Sequence, residues 1–591
     1  MENLEISRVL DDVAVLLEIE GANPFRIRAY QNAARIVESH STPLKRMIAE
    51  GDDITELPGI GKGIAADIQQ LVADGRSDTM DELAAEIPLS LIEITRLPGV
   101  GAKRVRKLWQ ELGVETIDDL ERAAQEDQVA GLAGFGTKSQ EKILRAIAAH
   151  RRRVGRFRLA DADQYVEPLL EYLRGVEGVE RLEVAGSYRR RRETVGDIDL
   201  LAIAAEPAPV VEAFTAYDDV SRVELAGDTK VTVVLRSGLQ VDLRILPRES
   251  YGAALQYFTG SKEHNVKLRK RAVAQGLSIS EYGVFRVQGA DAEGADEEGA
   301  GGSAAGGGEP VAAREEADIY AAVGLPWFPP ELREDRGEIE AALQGGLPRL
   351  LQSEDIRGDL QMHSTWSDGN NTLEEMLDGC VERGYEYFAI TDHSKALAMT
   401  GGLDADKLRR QWEEIAEIAA RRGEIRILRG MEVDILADGT LDLEDELLEE
   451  LDIVLVSVHS RLDLPRDQQT ERILTAVRHP QVNILAHPTG RLIGRREAMD
   501  FDLEEVLRCA VEHEVVVELN AHPERLDLQD THLMHARELG LKVSLGTDAH
   551  RVEDLSLMRY GVEQARRAWL EPDDVINTYP LARLLELLGS G

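Results

Sequence analysis

Apolar positions repeat at two different periods along the chain, and the change of period divides it. From residue 1 to about 155 they recur at helical spacing between short turns, as in the amphipathic segment from Asn23 through Val37. The period then shortens to two. Asp197-Ile198-Asp199-Leu200-Leu201 reads as a strand, and Val231 to Leu235, a turn at Ser237-Gly238 and Leu239 to Ile245 read as a hairpin. In the C-terminal third, short apolar runs alternate with helical patterns, and many end in acids or histidines. These runs are Asp359 to His363, Phe388 to His393, Leu428 to Glu432, Val454 to His459, Ile484 to His487 and Val543 to His550. Strands alternating with helices predict a parallel sheet, here closed as a barrel.

Asp197 and Asp199 share a face because a strand sends residues i and i+2 the same way. Asp242 alternates with Val241 and Leu243, so it faces away from the apolar side. Carboxylates side by side repel, and a shared divalent cation keeps them ionised. Three acids on one sheet face, beside the Gly186-Ser187 turn and the Arg189-Arg190 pair, point to phosphoryl or nucleotidyl transfer with Mg²⁺ or Mn²⁺.

The helical region carries a repeat. Leu57-Pro58-Gly59-Ile60-Gly61-Lys62 returns as Leu97-Pro98-Gly99-Val100-Gly101-Ala102-Lys103, and more loosely as Leu132-Ala133-Gly134-Phe135-Gly136-Thr137-Lys138. Such a turn aims its amides outward at the start of the next helix, a seat for phosphate. It resembles the helix-hairpin-helix motif, which grips the DNA backbone without reading sequence. Gly59, Gly61, Lys62, Gly99, Gly101 and Lys103 are the candidate contacts, and Arg151-Arg152-Arg153 with Arg156 and Arg158 forms a basic hinge.

Ten of the thirteen histidines follow Asp355, marking the C-terminal third as a site of another kind. Mixed His, Asp and Glu ligands suit Zn²⁺ and/or Mn²⁺ and hydrolysis of phosphate esters. Barrels of alternating strands and helices place active sites at the strand C-termini, where these residues stand.

As far as about Arg336 the chain resembles the family X DNA polymerases, adding Tyr257-Phe258-Thr259-Gly260-Ser261, Asn265 and Arg269 to the aspartates in the family's order. The resemblance implies that Asp197, Asp199 and Asp242 hold the catalytic metals. Gly186, Ser187, Arg190, Gly196, Arg244 and Gly260 would serve the nucleotide, with Ser187 and Arg190 on its triphosphate. Tyr257 and Phe258 would lie beside its sugar, and Asn265 and Arg269 near the new base and the template-side minor groove. The lysine that forms a Schiff base in lyase-competent members aligns with Asp67, which cannot make an imine. The C-terminal third resembles the PHP phosphoesterase domain, implying His363, Asp368, His393, Glu432, His459, His487, Asp548 and His550 as ligands. That family's His-x-His opening is here Gln361-Met362-His363, which weakens one of its usual three ions. Arg491 and Arg525 are candidates to clamp a phosphate.

The expected fold is multidomain: helix-hairpin-helix domains over residues 1–85 and 86–158, an α+β nucleotidyltransferase palm over 159–250, a nucleotide-binding lobe over 251–336 and an α/β PHP barrel over 337–591. Within the lobe, residues 289–318 are glycine, alanine and acid and are expected to be a disordered loop. The expected function is template-directed filling of short gaps in base excision repair, with 3′-end processing by the barrel as exonuclease, phosphatase or apurinic-site endonuclease. The substrates are gapped or nicked duplex DNA and dNTPs, handled by a monomer. Two alternatives stay open: an active barrel served by a DNA-binding module, and a template-independent nucleotidyltransferase.

Two cysteines exclude a disulfide scaffold, and with no basic-apolar leader and no apolar run of membrane length the expected compartment is the cytoplasm. The formal charge is −40, and only 13 of the 69 basic residues are lysine. An acid-rich, lysine-poor surface suits solubility in concentrated salt, so a halophilic cytoplasm is expected. Thermal melting across a KCl series should show stability rising with salt; equal stability in dilute buffer would remove this reading.

Overall fold

The computed structural model describes residues 3–39, 44–57, 59–97, 99–153, 155–287, 309–397 and 400–589. The chain forms two compact units, Met1–Val154 with Gly494–Glu497, and Gly155–Ile493 with Ala498–Gly591.

The smaller unit is helical: α1 (Asn3–Glu20), α2 (Pro24–Ser39), α3 (Leu44–Glu50), α4 (Lys62–Asp74), α5 (Asp78–Ala84), α6 (Ser90–Thr95), α7 (Ala102–Leu112), α8 (Ile117–Gln125) and α9 (Thr137–Arg153). Their apolar faces meet in one core, from Ile6 and Leu10 through Ile68 and Val105 to Ile147. The division expected at residue 85 therefore does not separate two cores. Each repeat turns alike, with Gly59, Gly99 and Gly134 at φ of +91°, +80° and +87°. L side chains resist that conformation, which is why glycine recurs there. Gly61 and Gly101 then cap α4 and α7, and among the described residues nothing lies within 4 Å of where a Cβ would stand on either. Lys62 and Lys103 are exposed beside them. Pro58, Pro98 and the side chains of Arg151, Arg152 and Arg153 lie outside the described residues.

Asp67, only 4% exposed on α4, accepts from Tyr30 Oη at 2.6 Å, Ser77 Oγ at 2.9 Å and Thr79 Oγ1 at 3.0 Å. This carboxylate thus ties α2 to α4 and to the start of α5.

The larger unit opens with β1 (Phe157–Arg158) and α10 (Leu159–Arg174), β1 pairing with β3 (Thr194–Val195). Its palm sheet contains β2 (Val179–Val184), β4 (Asp197–Ala204), β5 (Val220–Ala226), β6 (Lys230–Leu235) and β7 (Gln240–Leu246), in the order β2-β4-β7-β6-β5. α11 (Gly186–Arg189) follows β2, and α12 (Pro207–Thr215) covers the core at Val210 and Phe214. The β6–β7 hairpin turns at Gly238, φ +87°, as its pattern predicts. The lobe holds α13 (Tyr251–Thr259), α14 (Lys262–Val273), the hairpin of β8 (Leu277–Ser280) and β9 (Gly283–Arg286), α15 (Glu316–Ala322) and α16 (Glu338–Leu343). The loop expected through residue 318 ends sooner. Residues 288–308 lie outside the described residues, but Val284 N bonds Ala312 O at 2.7 Å, Gly252 N bonds Arg314 O at 3.0 Å, and Glu316 opens α15. Ala313 is buried and Ala312 packs against the core of the lobe.

The C-terminal sheet is wholly parallel, in sequence order: β10 (Gly358–Asp359), β11 (Tyr387–Ile390), β12 (Arg426–Asp434), β13 (Ile453–Ser457), β14 (Ile484–Leu485), β15 (Val516–Asn520) and β16 (Val543–Gly546). A bridge from Met362 to Ala549, with His363 N on Ala549 O at 2.8 Å, brings its first and last edges together. The sheet is thus a nearly closed barrel. Both faces of β11, β13, β15 and β16 are buried, which explains their unbroken apolar runs. One face packs against α17 (Leu373–Glu382), α18 (Ala405–Arg421), α19 (Asp445–Leu448), α20 (Arg466–Val477), α21 (Leu503–Glu512), α22 (Asp530–Glu538) and α23 (Met558–Arg567). On the other, Tyr387, Leu428, Leu455 and Ile484 join Tyr579 and Leu584 of the C-terminal segment that ends in α24 (Leu581–Leu587).

Palm and barrel are joined by ion pairs and hydrogen bonds, the buried Asp163 at their centre. Asp163 accepts from Tyr188 Oη at 2.6 Å, Tyr560 Oη at 2.7 Å and Arg559 at 3.1 Å, while Arg191 pairs with Glu563 at 2.6 Å and Arg158 with Glu524 at 2.5 Å. Among the described residues no helix is long and apolar enough to cross a membrane.

Asp67→Ala strands three hydroxyls and should cost about 2–4 kcal/mol. Thermal melting should show Tm lower by roughly 5–10 °C, with Asp67→Asn losing less because it keeps an acceptor.

Candidate active sites

In the palm, β4 and β7 pair in parallel with Asp199 level with Asp242, and Asp197 level with Gln240. Asp197 is exposed at the strand start, while Asp199 is half-buried. Burial, then Asp197 and Asp242, push the Asp199 carboxyl up to about 6, with Arg244 and Arg190 acting in the opposite sense. Bound divalent cations would relieve this crowding, so the donor set fits them. Asp242 Oδ1 accepts from Thr232 Oγ1 at 2.6 Å and Gln240 Nε2 at 3.5 Å. Neither partner stood out in the sequence, because a Thr in a β-branched strand carries no signal of its own.

Gly186 is at φ +63°, and a Cβ there would stand 2.5 Å from Asp199 Oδ2. Ser187 is half-buried next to it. Arg190 is buried: Nη1 donates to Thr259 O at 2.6 Å and Nε to Glu334 Oε1 at 3.0 Å. Gly260, φ +69°, brings its backbone against Arg190 Nη1, 3.1 Å from where a Cβ would be, and the corresponding point on Gly196 lies 3.4 Å from Arg156 Nη1. Arg244 stacks over Phe258 with its guanidinium carbon 4.3 Å from the ring centroid, and Phe258 meets Tyr257 edge-on at 5.2 Å. Asn265 is turned inward. Its Nδ2 donates to Tyr257 O at 2.8 Å and its Oδ1 accepts from Gln256 Nε2 at 2.7 Å, so it holds the aromatic pair's backbone. Arg269, one turn further on α14, is half-buried.

At the barrel's strand ends the eight histidines and acids gather, with four of the imidazoles around Glu432. His487 Nε2 lies 2.8 Å and His459 Nε2 3.3 Å from Glu432 Oε1, while His363 Nε2 and His393 Nδ1 are each 3.4 Å from Oε2. His363 Nε2 also meets Asp548 Oδ1 at 3.0 Å; Asp368 Oδ1 stands 3.5 Å from His550 Nε2 and 3.7 Å from His393 Nε2. Three groups place their ligand atoms within 4.8 Å of one another: His363, Asp368, His393 and His550; His393, Glu432 and His459; His363, Glu432 and Asp548. Burial works to raise the Glu432 carboxyl, yet the surrounding imidazoles of His393, His459 and His487 hold it well below the usual range. Among the described residues, Glu432 Oε2, His363 Nδ1 and His487 Nδ1 are buried without a hydrogen bond. Crowded nitrogen and oxygen donors with bonds to spare fit divalent metal.

Gln361 stands at the rim of this cluster. Its Oε1 is 3.4 Å from Asn520 Nδ2, which also donates to Asp548 Oδ2 at 3.1 Å, and its Nε2 has no partner among the described residues. Asn520, a strand-end residue missed in the sequence, thus steadies Asp548. Of the two arginines considered for phosphate, Arg491 is occupied by Arg525 O at 2.8 Å, Gln529 Oε1 at 3.1 Å and Glu193 at 2.7 Å. Arg525 Nε reaches Asp548 Oδ2 at 3.4 Å.

Known proteins carry the same parts. The helix-hairpin-helix domain model matches residues 1–77, the SAM-like helix-hairpin-helix tandem 91–149, the DNA polymerase beta thumb 254–334 and the PHP domain 359–522. The chain is 40% identical over 583 residues to the DNA polymerase/3'-5' exonuclease PolX of Bacillus subtilis (strain 168), covering 98% of both chains. It belongs to the PolX family. DNA polymerase lambda of Rattus norvegicus is 23% identical over 351 residues, 56% of each chain, and a "Probable phosphatase" of Thermoanaerobacter sp. (strain X514) is 26% identical over 220 residues, 35% of this chain and 84% of its own. The chain is therefore an enzyme that joins a family X polymerase half to a PHP half.

Gly186→Ala would drive a methyl into Asp199. Primer extension should fall by about a hundredfold or more, the effect of a 1 Å misplacement. Hydrolysis at 3′ ends, measured on the same preparation, should be unchanged.

Proposed function

We propose that this enzyme fills short gaps in DNA during repair, extending a primer from dNTPs in the palm and trimming 3′ ends in the barrel. The observation that carries the polymerase reading is the level pairing of Asp199 with Asp242 across parallel strands, with Asp197 on the same face. In this reading Asp197, Asp199 and Asp242 hold Mg²⁺ or Mn²⁺. Such ions lower the charge between primer hydroxyl and triphosphate and steady the in-line geometry. Thr232 and Gln240 fix the Asp242 carboxylate that faces the primer end. Arg190 takes the triphosphate, with Ser187 and the glycine turn at Gly186 beside it. Tyr257 and Phe258, braced by Asn265 and Arg244, shape the sugar pocket. The turns at Gly59–Lys62 and Gly99–Lys103 seat the phosphates of gapped duplex.

In the barrel, His363, Asp368, His393, Glu432, His459, His487, Asp548 and His550 would hold Zn²⁺ and/or Mn²⁺. Such metals polarise phosphate oxygens and supply a nucleophile at neutral pH. Exonuclease is the first reading, since the Bacillus relative is named for it; likeness to probable phosphatases favours 3′-phosphate removal as the second. Lyase chemistry through the α4 position is excluded from the reading, because Asp67 there is committed to three hydroxyls.

A labelled gapped duplex in high KCl with Mn²⁺, with and without dNTPs, tests both halves. Asp199→Ala should lose extension alone and Asp548→Ala shortening alone. Shortening without extension in the wild type would reduce the palm to a binding module.

A further inference from the structure

Arg190, proposed above for the triphosphate, is not held by the palm alone. Glu334 Oε1, which accepts from Arg190 Nε at 3.0 Å, also accepts from Arg567 Nη1 at 2.9 Å. Arg567 is the last residue of α23, a barrel helix, and its side chain is 2% exposed. The same Nη1 donates to the Arg190 backbone carbonyl at 2.6 Å. Its other nitrogens are fixed from behind: Nε and Nη2 donate to Asp530 Oδ2 at 3.0 and 2.7 Å, and Arg336 Nη1 joins that oxygen at 3.0 Å. Arg192 stands 3.5 Å from Glu334 Oε2. Four guanidiniums, Arg190, Arg192, Arg336 and Arg567, therefore surround two carboxylates, Glu334 and Asp530.

If Glu334 had Arg190 as its main partner, it would compete with an incoming phosphate for that guanidinium. Arg567 shares the same oxygen and divides the carboxylate's pull. Arg567 also pins the carbonyl at the end of α11, the turn that aims both Ser187 and Arg190. The four guanidiniums outnumber the two carboxylates they surround, and that surplus is the complement of a polyphosphate.

We infer that Arg567 of the barrel is a positioning residue for the polymerase reaction, holding Glu334 and the end of the palm turn so that Arg190 is available to the nucleotide's triphosphate. The inference rests on the reading of Arg190 given above.

The test is single-nucleotide gap filling by the full chain, with KM for dNTP, KM for DNA and kcat measured separately. Arg567→Met should raise KM for dNTP by about tenfold or more, the worth of a charged hydrogen bond. It should leave KM for DNA unchanged and 3′-end hydrolysis intact, and Arg567→Lys should recover part of the loss. In an Arg190→Gln background the further effect of Arg567→Met should vanish, because both act through one contact. Asp530→Asn, which loosens Arg567 without removing it, should shift KM for dNTP the same way but less, and serves where Arg567→Met does not fold. An unchanged KM for dNTP, an equal rise in KM for DNA, or additive effects with Arg190→Gln would overturn the inference. If Arg190→Gln itself leaves KM for dNTP unchanged, the assignment of Arg190 fails instead.

Discussion

Carboxylates on neighbouring strands can share a cation only when the pairing register sets them level, and both candidate sites of this chain depend on that constraint. In the palm sheet β4 and β7 are paired in parallel, and their register carries Asp199 to Asp242. A slip of one residue would bury one acid among Ile198, Leu200 and Val241 and expose the core to solvent. In the barrel every pairing is parallel, so the strand ends gather at one rim, and Glu432 ends up among imidazoles from four separate segments.

Charge is handled differently on the surface and inside. The surplus of acid is a property of the whole chain, whereas the junction of palm and barrel is built from arginine paired with carboxylate that is half-buried, as in Arg158 with Glu524 and Arg191 with Glu563, or buried, as in Arg559 with Asp163. A guanidinium serves there because its fork bonds two or three acceptors at fixed angles, which an ammonium does not. The scarcity of lysine and the heavy use of arginine are thus expressed in the architecture as well as in composition.

What could be read in the sequence was what local pattern determines. Alternation placed Asp197, Asp199 and Asp242 on one face, Pro-Gly-apolar-Gly marked the helical turns, and run-ending histidines marked the barrel rim. Contacts made across long separations were not legible. Thr232, Glu334, Asn520 and Arg567 look like ordinary polar residues until the fold sets them against Asp242, Arg190 and Asp548. Asp67 shows both sides of this: its mismatch with the lyase lysine was visible, but its role as acceptor for Tyr30, Ser77 and Thr79 required the packing of α2, α4 and α5. The core shared by residues 6–147 and the backbone bonds of residues 311–314 depend in the same way on contacts between segments far apart in the chain.

The pairs that join palm to barrel have a bearing on traffic between the two chemistries. Pulling the buried Asp163 from Tyr560 and Arg559 would leave its carboxylate without two of its hydroxyl and guanidinium partners, a cost that disposes the two halves to travel as one body. A primer terminus that needs both trimming and extension must then do the moving itself, peeling from one cleft and settling in the other while the protein between them keeps its shape.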